Sequence, residues 1–147
     1  MMSMSEPTKK VPEVMDTGEF LAWDAPATAR WQLVDGEPQA MAPASRTHGV
    51  IQAELIKLLG VHFDDRASPC VVVDAASVLP RVRADINVRV PDVAVTCTEA
   101  EVEEHTLDEP VLLVEILSPS NRAEAWSNVW TYTTIPSVKE ILDAQGN

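Results

Sequence analysis

The segment that most restricts the possible folds of this chain is PVLLVEILSPS, residues 110–120. Six of the seven residues from Val111 to Leu117 are large and aliphatic, and the run is too short and too branched for an independent helix. It therefore predicts a buried β-strand. The seventh residue is Glu115, whose carboxylate has to be paired, hydrogen-bonded, metal-bound or protonated, because a lone buried charge is costly.

A second acidic residue, Asp92, lies beside another apolar segment. It follows Pro91 and precedes the run VAV, so we expect it at a kink next to a second strand. Two adjacent strands can bring the carboxylates of Asp92 and Glu115 together, and such like charges repel unless a cation separates them. Hard oxygen ligands of this kind suit Mg²⁺ or Mn²⁺. The alternative from the same pattern is that Asp92 caps a turn and Glu115 pairs with an arginine.

The length and composition fit one soluble domain. The chain has 147 residues, 46% of them hydrophobic, and no run approaches the roughly 18 apolar residues of a membrane span. The N-terminal stretch is polar and lacks the apolar core of a secretory signal. We therefore expect a flexible leader over residues 1–14, a single domain over residues 15–147 and a cytoplasmic protein.

The two cysteines, Cys70 and Cys97, are too few for a disulfide framework and do not form a CxxC pair. We expect both to be small buried hydrophobic residues in a reducing cytoplasm, and we expect no zinc site.

The charge balance disfavours nonspecific binding to nucleic acid. The formal net charge is −12, which opposes attraction to a phosphate backbone. Much of the acid lies in residues 98–109, a run typical of a solvated face or loop. The basic cluster of Arg81, Arg83 and Arg89 could meet phosphates, but a solvated strand face is the expected role.

Three segments have helical patterns. They are residues 16–25, 45–66 and 120–135. We expect Thr17 to cap the first helix. In the second segment we expect Ser45 near the start of the helix and Gly60 at its end. In the third segment, Trp126, Val129 and Trp130 share one side, which we expect to face the core or an interface rather than to stack on bases.

The strands cluster between these helices. The dipeptide Asp35-Gly36 predicts a β-hairpin over residues 30–43, and residues 70–82 and 86–96 predict further strands, as does the segment after Ile135. This order favours an α/β or α+β sheet over a doubly wound fold. No glycine-rich phosphate loop, GxSxG or HExxH motif occurs in the sequence.

Glu37 and His48 are two further candidates for the functional site. Glu37 follows the hairpin turn and by itself is typical of an exposed turn acid. His48, near the start of the long helix, is more typical of a capping or packing residue than of a ligand. His62 and His105 lie in polar contexts without ligand spacing.

Five segments in order resemble a known family. They are WQLVDGEPQAMAPAS, THGVIQAELIKLL, VRVPDVAV, LLVEILSPSN and YTTIPSVKEI. The pattern resembles the bacterial Uma-type family of restriction-endonuclease-like proteins, within the PD-(D/E)XK nuclease superfamily, over about residues 15–142. The resemblance implies a restriction-endonuclease-like mixed central sheet flanked by helices, and a metal-dependent endonuclease that hydrolyses the phosphodiester bonds of DNA.

The resemblance also implies roles for individual residues. The PD of the motif matches Pro91 and Asp92, the (D/E) matches Glu115, and the family's DGE turn ends at Glu37. Asp92 and Glu115 would hold Mg²⁺ or Mn²⁺, which polarises a phosphate oxygen and lowers the pKa of an attacking water. A homodimer is implied as well, because nucleases of this fold often pair to cut two strands.

The chain departs from the family pattern at several positions. Leu117 stands where the superfamily lysine follows the motif acid, and the family's usual lysine, shortly before Tyr132, is here Asn128. Gln32 replaces a frequent glutamate, Lys139 lies beyond the helix, and the chain ends earlier than family members do, as if shortened at its C-terminus. The second hypothesis is therefore a catalytically degraded member that acts as a binding or interaction module.

Overall fold

The computed structural model describes residues 9–99 and 106–145. Residues 1–8 of the expected leader and residues 100–105 of the acidic run, with His105, lie outside the described residues. In chain order the elements are α1 (Thr17–Ala22), β1 (Trp31–Val34), β2 (Glu37–Ala40), α2 (Arg46–Asp65), β3 (Val71–Asp74), a 3-10 turn (Ala84–Ile86), β4 (Val93–Thr96), β5 (Pro110–Leu117), α3 (Arg122–Tyr132) and β6 (Glu140–Gln145).

The architecture is a mixed α/β sheet with helices on its faces, which confirms the predicted fold class. The central sheet has the strand order β3-β4-β5-β6. Strand β4 is antiparallel to β3 and to β5, whereas β6 runs parallel to β5. A parallel pair needs a crossover connection, and α3 provides it.

Strand β5 is the centre of the core, as its sequence predicts. Val114 and Ile116 pack towards apolar residues of α2, while Leu113 packs with Tyr132 of α3 on the other face. Because side chains alternate along a strand, Glu115 shares the α3 face with Leu113. The chain therefore puts its buried carboxylate between the sheet and α3.

The predicted hairpin forms around the Asp35-Gly36 turn. Both residues have positive φ, 49° and 87°, as a tight two-residue turn between twisted strands requires. The hairpin joins the rest of the structure through Leu33, which is fully buried and exchanges two backbone hydrogen bonds with Val88. This contact brings Gln32 of β1 to the end of the sheet where α3 begins.

Two helix boundaries differ from the sequence prediction. The cap of α1 is Asp16, whose carboxylate accepts from the Glu19 amide while Glu19 accepts from the Asp16 amide, so Thr17 lies within the first turn. Ser45 caps α2 as expected, but the helix passes through Gly60 and ends at Asp65. A glycine inside a helix costs only about 1 kcal/mol, which does not stop a helix of this length.

The two tryptophans of α3 do not face the core, so of the two predicted roles only that of an interface stays a prediction. Trp126 and Trp130 are 47% and 62% exposed, so neither belongs to the core. The buried residues of α3 are Ala125, Asn128, Thr131 and Tyr132. The helix turns a partly polar side inward because the sheet opposite it carries Glu115, which needs hydrogen-bond donors.

The two cysteines form a disulfide, so the expectation of two free buried thiols is wrong. Val71 of β3 is in register with Thr96 of β4, which places Cys70 and Cys97 opposite each other just beyond these ends, with Cα atoms 3.9 Å apart. The antiparallel register, which the sequence spacing does not reveal, brings them together. The bond closes the open end of the β3–β4 pair.

The basic cluster is also divided. Arg81 and Arg83 are exposed, whereas Arg89 is 3% exposed, which contradicts a solvated strand face for that residue. Within the described ranges, no helix combines the length and the apolar character needed to cross a bilayer.

Candidate active site

A cleft of about 770 Å³ opens where α2 and α3 begin and β5 ends. Asp92, Glu115 and Asn128, three of the predicted site residues, line it. Glu37, the fourth, is exposed at the start of β2 and does not line the cleft. The structure therefore brings together the two acids expected to hold a metal, and it leaves the hairpin acid outside.

Asp92 is fixed at the cleft by contacts with β5 and α2. Its amide donates to the Val114 carbonyl at 3.0 Å, and its Oδ2 accepts from the Ile116 amide at 2.7 Å. The other oxygen, Oδ1, lies 3.0 Å from His48 Nε2. The preceding Pro91 has no N–H to give, so the chain leaves the strand ladder here and turns Asp92 towards the cleft.

Burial raises the pKa of the Asp92 carboxyl above its usual range. The Ile116 amide and the His48 ring lower it again, because both favour the charged form. The carboxylate thus combines loss of water with two specific contacts that hold its orientation.

Glu115 is held in the cleft by two residues of α3. It is 4% exposed, and its Oε1 accepts from the Tyr132 hydroxyl at 2.5 Å and from Asn128 Nδ2 at 3.2 Å. Burial, followed by the charge of Asp92, raises the pKa of Glu115 to about 8, whereas the two hydrogen bonds lower it. Among the described residues, the side chain of Glu115 is hydrogen-bonded to Tyr132 and Asn128 and not to an arginine. The alternative prediction of an arginine partner is therefore wrong.

The side-chain amide of Asn128 is fully hydrogen-bonded to other residues of the protein. Its nitrogen donates to Glu115 and, at 2.9 Å, to Gln32 Oε1, and its oxygen accepts from Arg89 at 2.9 Å. An amide nitrogen carries only two hydrogens. Asn128 therefore has no donor left for a water or a phosphate, although it occupies the position where the family resemblance places a lysine.

Arg89 supplies a buried positive charge behind this amide. Its guanidinium donates to the side-chain oxygens of Asn87, Asn128 and Ser127. In the part of the chain that the structure describes, it has no ion pair with a carboxylate. Burial lowers the pKa of Arg89, and the negative charges nearby, Asp35 first and Glu115 among them, oppose that change.

A third carboxylate, Glu124 of α3, also lines the cleft. Burial and then the charge of Asp92 raise the pKa of Glu124, and its Oε1 accepts from Gln32 at 3.4 Å. Even so, the described residues contain no group of three or more His, Cys, Asp or Glu side chains arranged to hold a metal ion. From the described part of the chain, a cation in this cleft would therefore meet at most two such side chains.

Sequence reasoning missed several residues that contact the predicted acids. Gln52 contacts Asp92, and Tyr132 contacts Glu115. His48, which was taken for a capping or packing residue, also contacts Asp92. Two other missed residues do not touch these acids: Arg89 donates to Asn128, and Glu124 lines the cleft. The spacing of His48 and Gln52, one helical turn apart on α2, was a signal, but it could not identify Asp92 as the common partner.

Comparisons with known proteins identify the family of this chain. The profile of the Uma2 family, described as "Putative restriction endonuclease", matches residues 17–144. A Synechocystis protein named "Uncharacterized protein slr1290" is 31% identical over 106 residues, which is 71% of this chain and 54% of that protein. The chain thus spans about half the length of this curated relative.

A solved structure has the same fold. It is described as "a putative nuclease belonging to DUF820" from Anabaena variabilis, and it superposes with a TM-score of 0.70 over 88% of this chain and 74% of that chain. The sequence identity is 17%, so the likeness concerns the fold alone.

Proposed function

Since this chain belongs to the Uma2 family, whose description is "Putative restriction endonuclease", we propose that it is a metal-dependent endonuclease that hydrolyses phosphodiester bonds of DNA. The observation that carries the proposal is the meeting of Asp92 and Glu115 in one cleft, where burial and then the charge of Asp92 raise the pKa of Glu115. Two such carboxylates repel each other, and a divalent cation between them would remove that repulsion.

The donor set fits Mg²⁺ or Mn²⁺. Both acids offer hard oxygen atoms, and Mg²⁺ commonly takes one or two protein carboxylates and fills the rest of its shell with water and substrate phosphate. The finding of no larger ligand group among the described residues agrees with this mode rather than with a closed protein cage. When bound, the metal supplies Lewis-acid polarisation of a phosphate oxygen and a more acidic water.

The residues of the chain have separate tasks in this proposal. Asp92, held by the Ile116 amide and by His48, presents a carboxylate with a fixed direction. Glu115 would hold the cation in its ionised form, and Tyr132 and Asn128 keep its Oε1 in place. Arg30, an exposed residue that lines the same cleft, is suited to contact the phosphate backbone of the substrate.

The proposed substrate has to overcome an unfavourable field. The chain carries a formal net charge of −12, so its DNA affinity should depend on the divalent cation in the cleft rather than on general basicity. The proposal includes a homodimer that cuts both strands and a cytoplasmic location. Disulfides are rare in a reducing cytoplasm, so the state of Cys70 and Cys97 tests that location: alkylation in cells should trap both as free thiols if the protein is cytoplasmic.

A cleavage assay with matched variants tests the proposal. The protein is incubated with supercoiled and single-stranded DNA in Mg²⁺ or Mn²⁺, alongside Asp92→Asn and Glu115→Gln. The controls are Asp65→Asn and Glu54→Gln, which make the same chemical changes at exposed positions of α2. Nicking that is lost only in the two cleft variants supports the endonuclease.

The second candidate is a degraded member that binds a partner without cleaving it. The observation in its favour concerns Asn128. Its side chain carries no charge to stabilise a transition state, and both of its N–H donors are bonded to Gln32 and Glu115. Fluorescence anisotropy with labelled DNA separates the two. Binding that depends on the cation, with no product after long incubation in either metal, favours the module.

A further inference from the structure

Helix α2 contacts Asp92 at two points. His48 and Gln52 lie four residues apart, so they share one side of the helix. His48 Nε2 is 3.0 Å from the carboxylate oxygen Oδ1, and Gln52 Nε2 donates to the backbone carbonyl of Asp92 at 2.8 Å. The first turns of the longest helix thus hold both the side chain and the main chain of one cleft residue.

These contacts leave Asp92 little freedom. Its carbonyl also accepts from the Ala75 amide at 3.3 Å, and Gln52 is itself anchored to Asp74 at 2.7 Å. With the Ile116 amide on Oδ2, every polar group of Asp92 has a protein partner. Only the second lone pairs of the carboxylate oxygens remain for a ligand in the cleft.

The other ring nitrogen of His48 decides how the imidazole acts. Its Nδ1 is buried and has no hydrogen-bond partner among residues 9–99 and 106–145. A proton on Nδ1 would be a buried donor without an acceptor, which costs more than an unused lone pair. The proton therefore belongs on Nε2, where it is directed at Asp92, and the ring has no lone pair on that nitrogen for a metal.

We propose that His48 is a positioning residue, which donates from Nε2 to Asp92 Oδ1 and so orients this carboxylate for a divalent cation. The inference rests on the proposed metal-dependent function. A histidine that binds a metal directly normally donates its other N–H to a protein or water acceptor, and the described residues provide none for His48 Nδ1. His48 thus acts through Asp92 and not as a ligand.

The test measures Mn²⁺ binding to the full chain by the loss of the free-ion electron paramagnetic resonance signal. Three variants are compared with the wild type. His48→Ala removes the donor, His48→Gln keeps an N–H donor at a similar reach, and His62→Ala removes an exposed histidine from the same helix. Thermal unfolding without metal separates lost affinity from lost folding.

We expect His48→Ala to weaken Mn²⁺ binding by about 10- to 100-fold, the usual effect of removing a residue that orients a ligand. His48→Gln should recover most of the affinity, and His62→Ala should match the wild type. A long-range ¹H–¹⁵N correlation spectrum of the wild type should place the ring proton of His48 on Nε2, which checks the contact even if His48→Ala does not fold.

Three results would contradict the inference in different ways. Unchanged Mn²⁺ affinity in His48→Ala, or a ring proton on Nδ1, overturns the positioning role while leaving the endonuclease proposal intact. Failure of His48→Gln to recover affinity overturns the role as a donor. A wild-type protein that binds no Mn²⁺ overturns the proposed function and the positioning role with it.

Discussion

Asn128 and Gln32 are 96 residues apart in the sequence, and their side-chain amides are joined by a hydrogen bond of 2.9 Å. These are the two positions at which the family pattern leads one to expect a lysine and a glutamate. The contact shows that the two departures meet in space. A neutral amide pair thus occupies a place suited to an ion pair, next to Glu115.

The first prediction concerns this pair. Asn128→Lys alone puts a second cation beside Arg89, and Gln32→Glu alone puts another carboxylate beside Glu115 and Glu124, so each single change should destabilise the fold by about 3 kcal/mol. The double variant restores charge balance and should lose much less. A double-mutant cycle of urea unfolding free energies should give a coupling of at least about 1 kcal/mol.

The same double variant also tests the degraded-enzyme hypothesis. A lysine near Glu115 supplies the positive charge that Asn128 lacks, so plasmid nicking with Mg²⁺ should increase relative to the wild type. Additive stability losses in the cycle would mean that the two positions are not coupled. Unchanged nicking in a folded double variant would mean that the missing lysine does not limit activity.

The sequence predicted the elements well where one local signal dominated. The apolar run of β5, the Asp35-Gly36 turn and the periodic face of α2 all appear as expected. The predictions from sequence were wrong where a residue's structural role depends on a partner that is distant in the sequence. The cysteine pair depends on the β3–β4 register, and the inward side of α3 depends on the need of Glu115 for donors from Asn128 and Tyr132.

The candidate site follows the same rule. The acids at 92 and 115 could be predicted because each stands out against an apolar neighbourhood. Gln52 and Arg89 could not, because a polar residue in a helix or strand looks solvent-exposed until its partner is known. Their partners, the Asp92 carbonyl and the Asn128 amide, come from other elements.

The second prediction is a pH dependence of stability. In the unfolded chain Glu115 ionises near 4.5, whereas in the fold burial and the Asp92 charge raise its pKa to about 8. Between these values the folded state holds the extra proton, so the free energy of unfolding should fall as pH rises and the loss should be complete above about pH 8. At 1.36 kcal/mol per unit of pKa, the loss attributable to this group is of order 5 kcal/mol.

Glu115→Gln removes this titration. Guanidinium unfolding from pH 5 to pH 9 should give a flatter curve than the wild type, with the variant more stable at pH 9. Part of the slope should survive, because burial raises the pKa of Asp92 as well. The control Glu54→Gln changes an exposed acid and should keep the wild-type slope; parallel curves for all three proteins would refute a buried, protonated Glu115.

The third prediction concerns the disulfide. The Cys70–Cys97 bond closes a segment with a sequence separation of 27, and restricting the unfolded chain over such a length stabilises the fold by roughly 3.5 kcal/mol. A reducing agent should lower the unfolding midpoint of the wild type. The double variant Cys70→Ser/Cys97→Ser should unfold at the same midpoint as the reduced wild type. Adding the reducing agent should not change the midpoint of the variant. Equal midpoints for the wild type with and without reductant would show that the bond contributes nothing to stability.

The fourth prediction separates the hydroxyl of Tyr132 from its ring. Tyr132 is fully buried, and its hydroxyl donates to Glu115 Oε1, a bond that favours the charged carboxylate and lowers the pKa of Glu115. Tyr132→Phe keeps the packing against Leu113 but removes that donor, so the pKa of Glu115 should rise further above about 8. Mn²⁺ binding requires the ionised form, and its affinity at pH 7 should therefore fall by about tenfold or more.

The pH profile distinguishes this effect from general damage. Affinity in Tyr132→Phe should recover as the pH rises past 9, since the carboxylate then ionises without help, whereas a distorted site would stay weak at every pH. Thr133→Ala, an exposed change at the end of α3, serves as the matched control and should follow the wild-type profile. A Tyr132→Phe profile that coincides with the wild type would show that the hydroxyl does not govern the charge of Glu115.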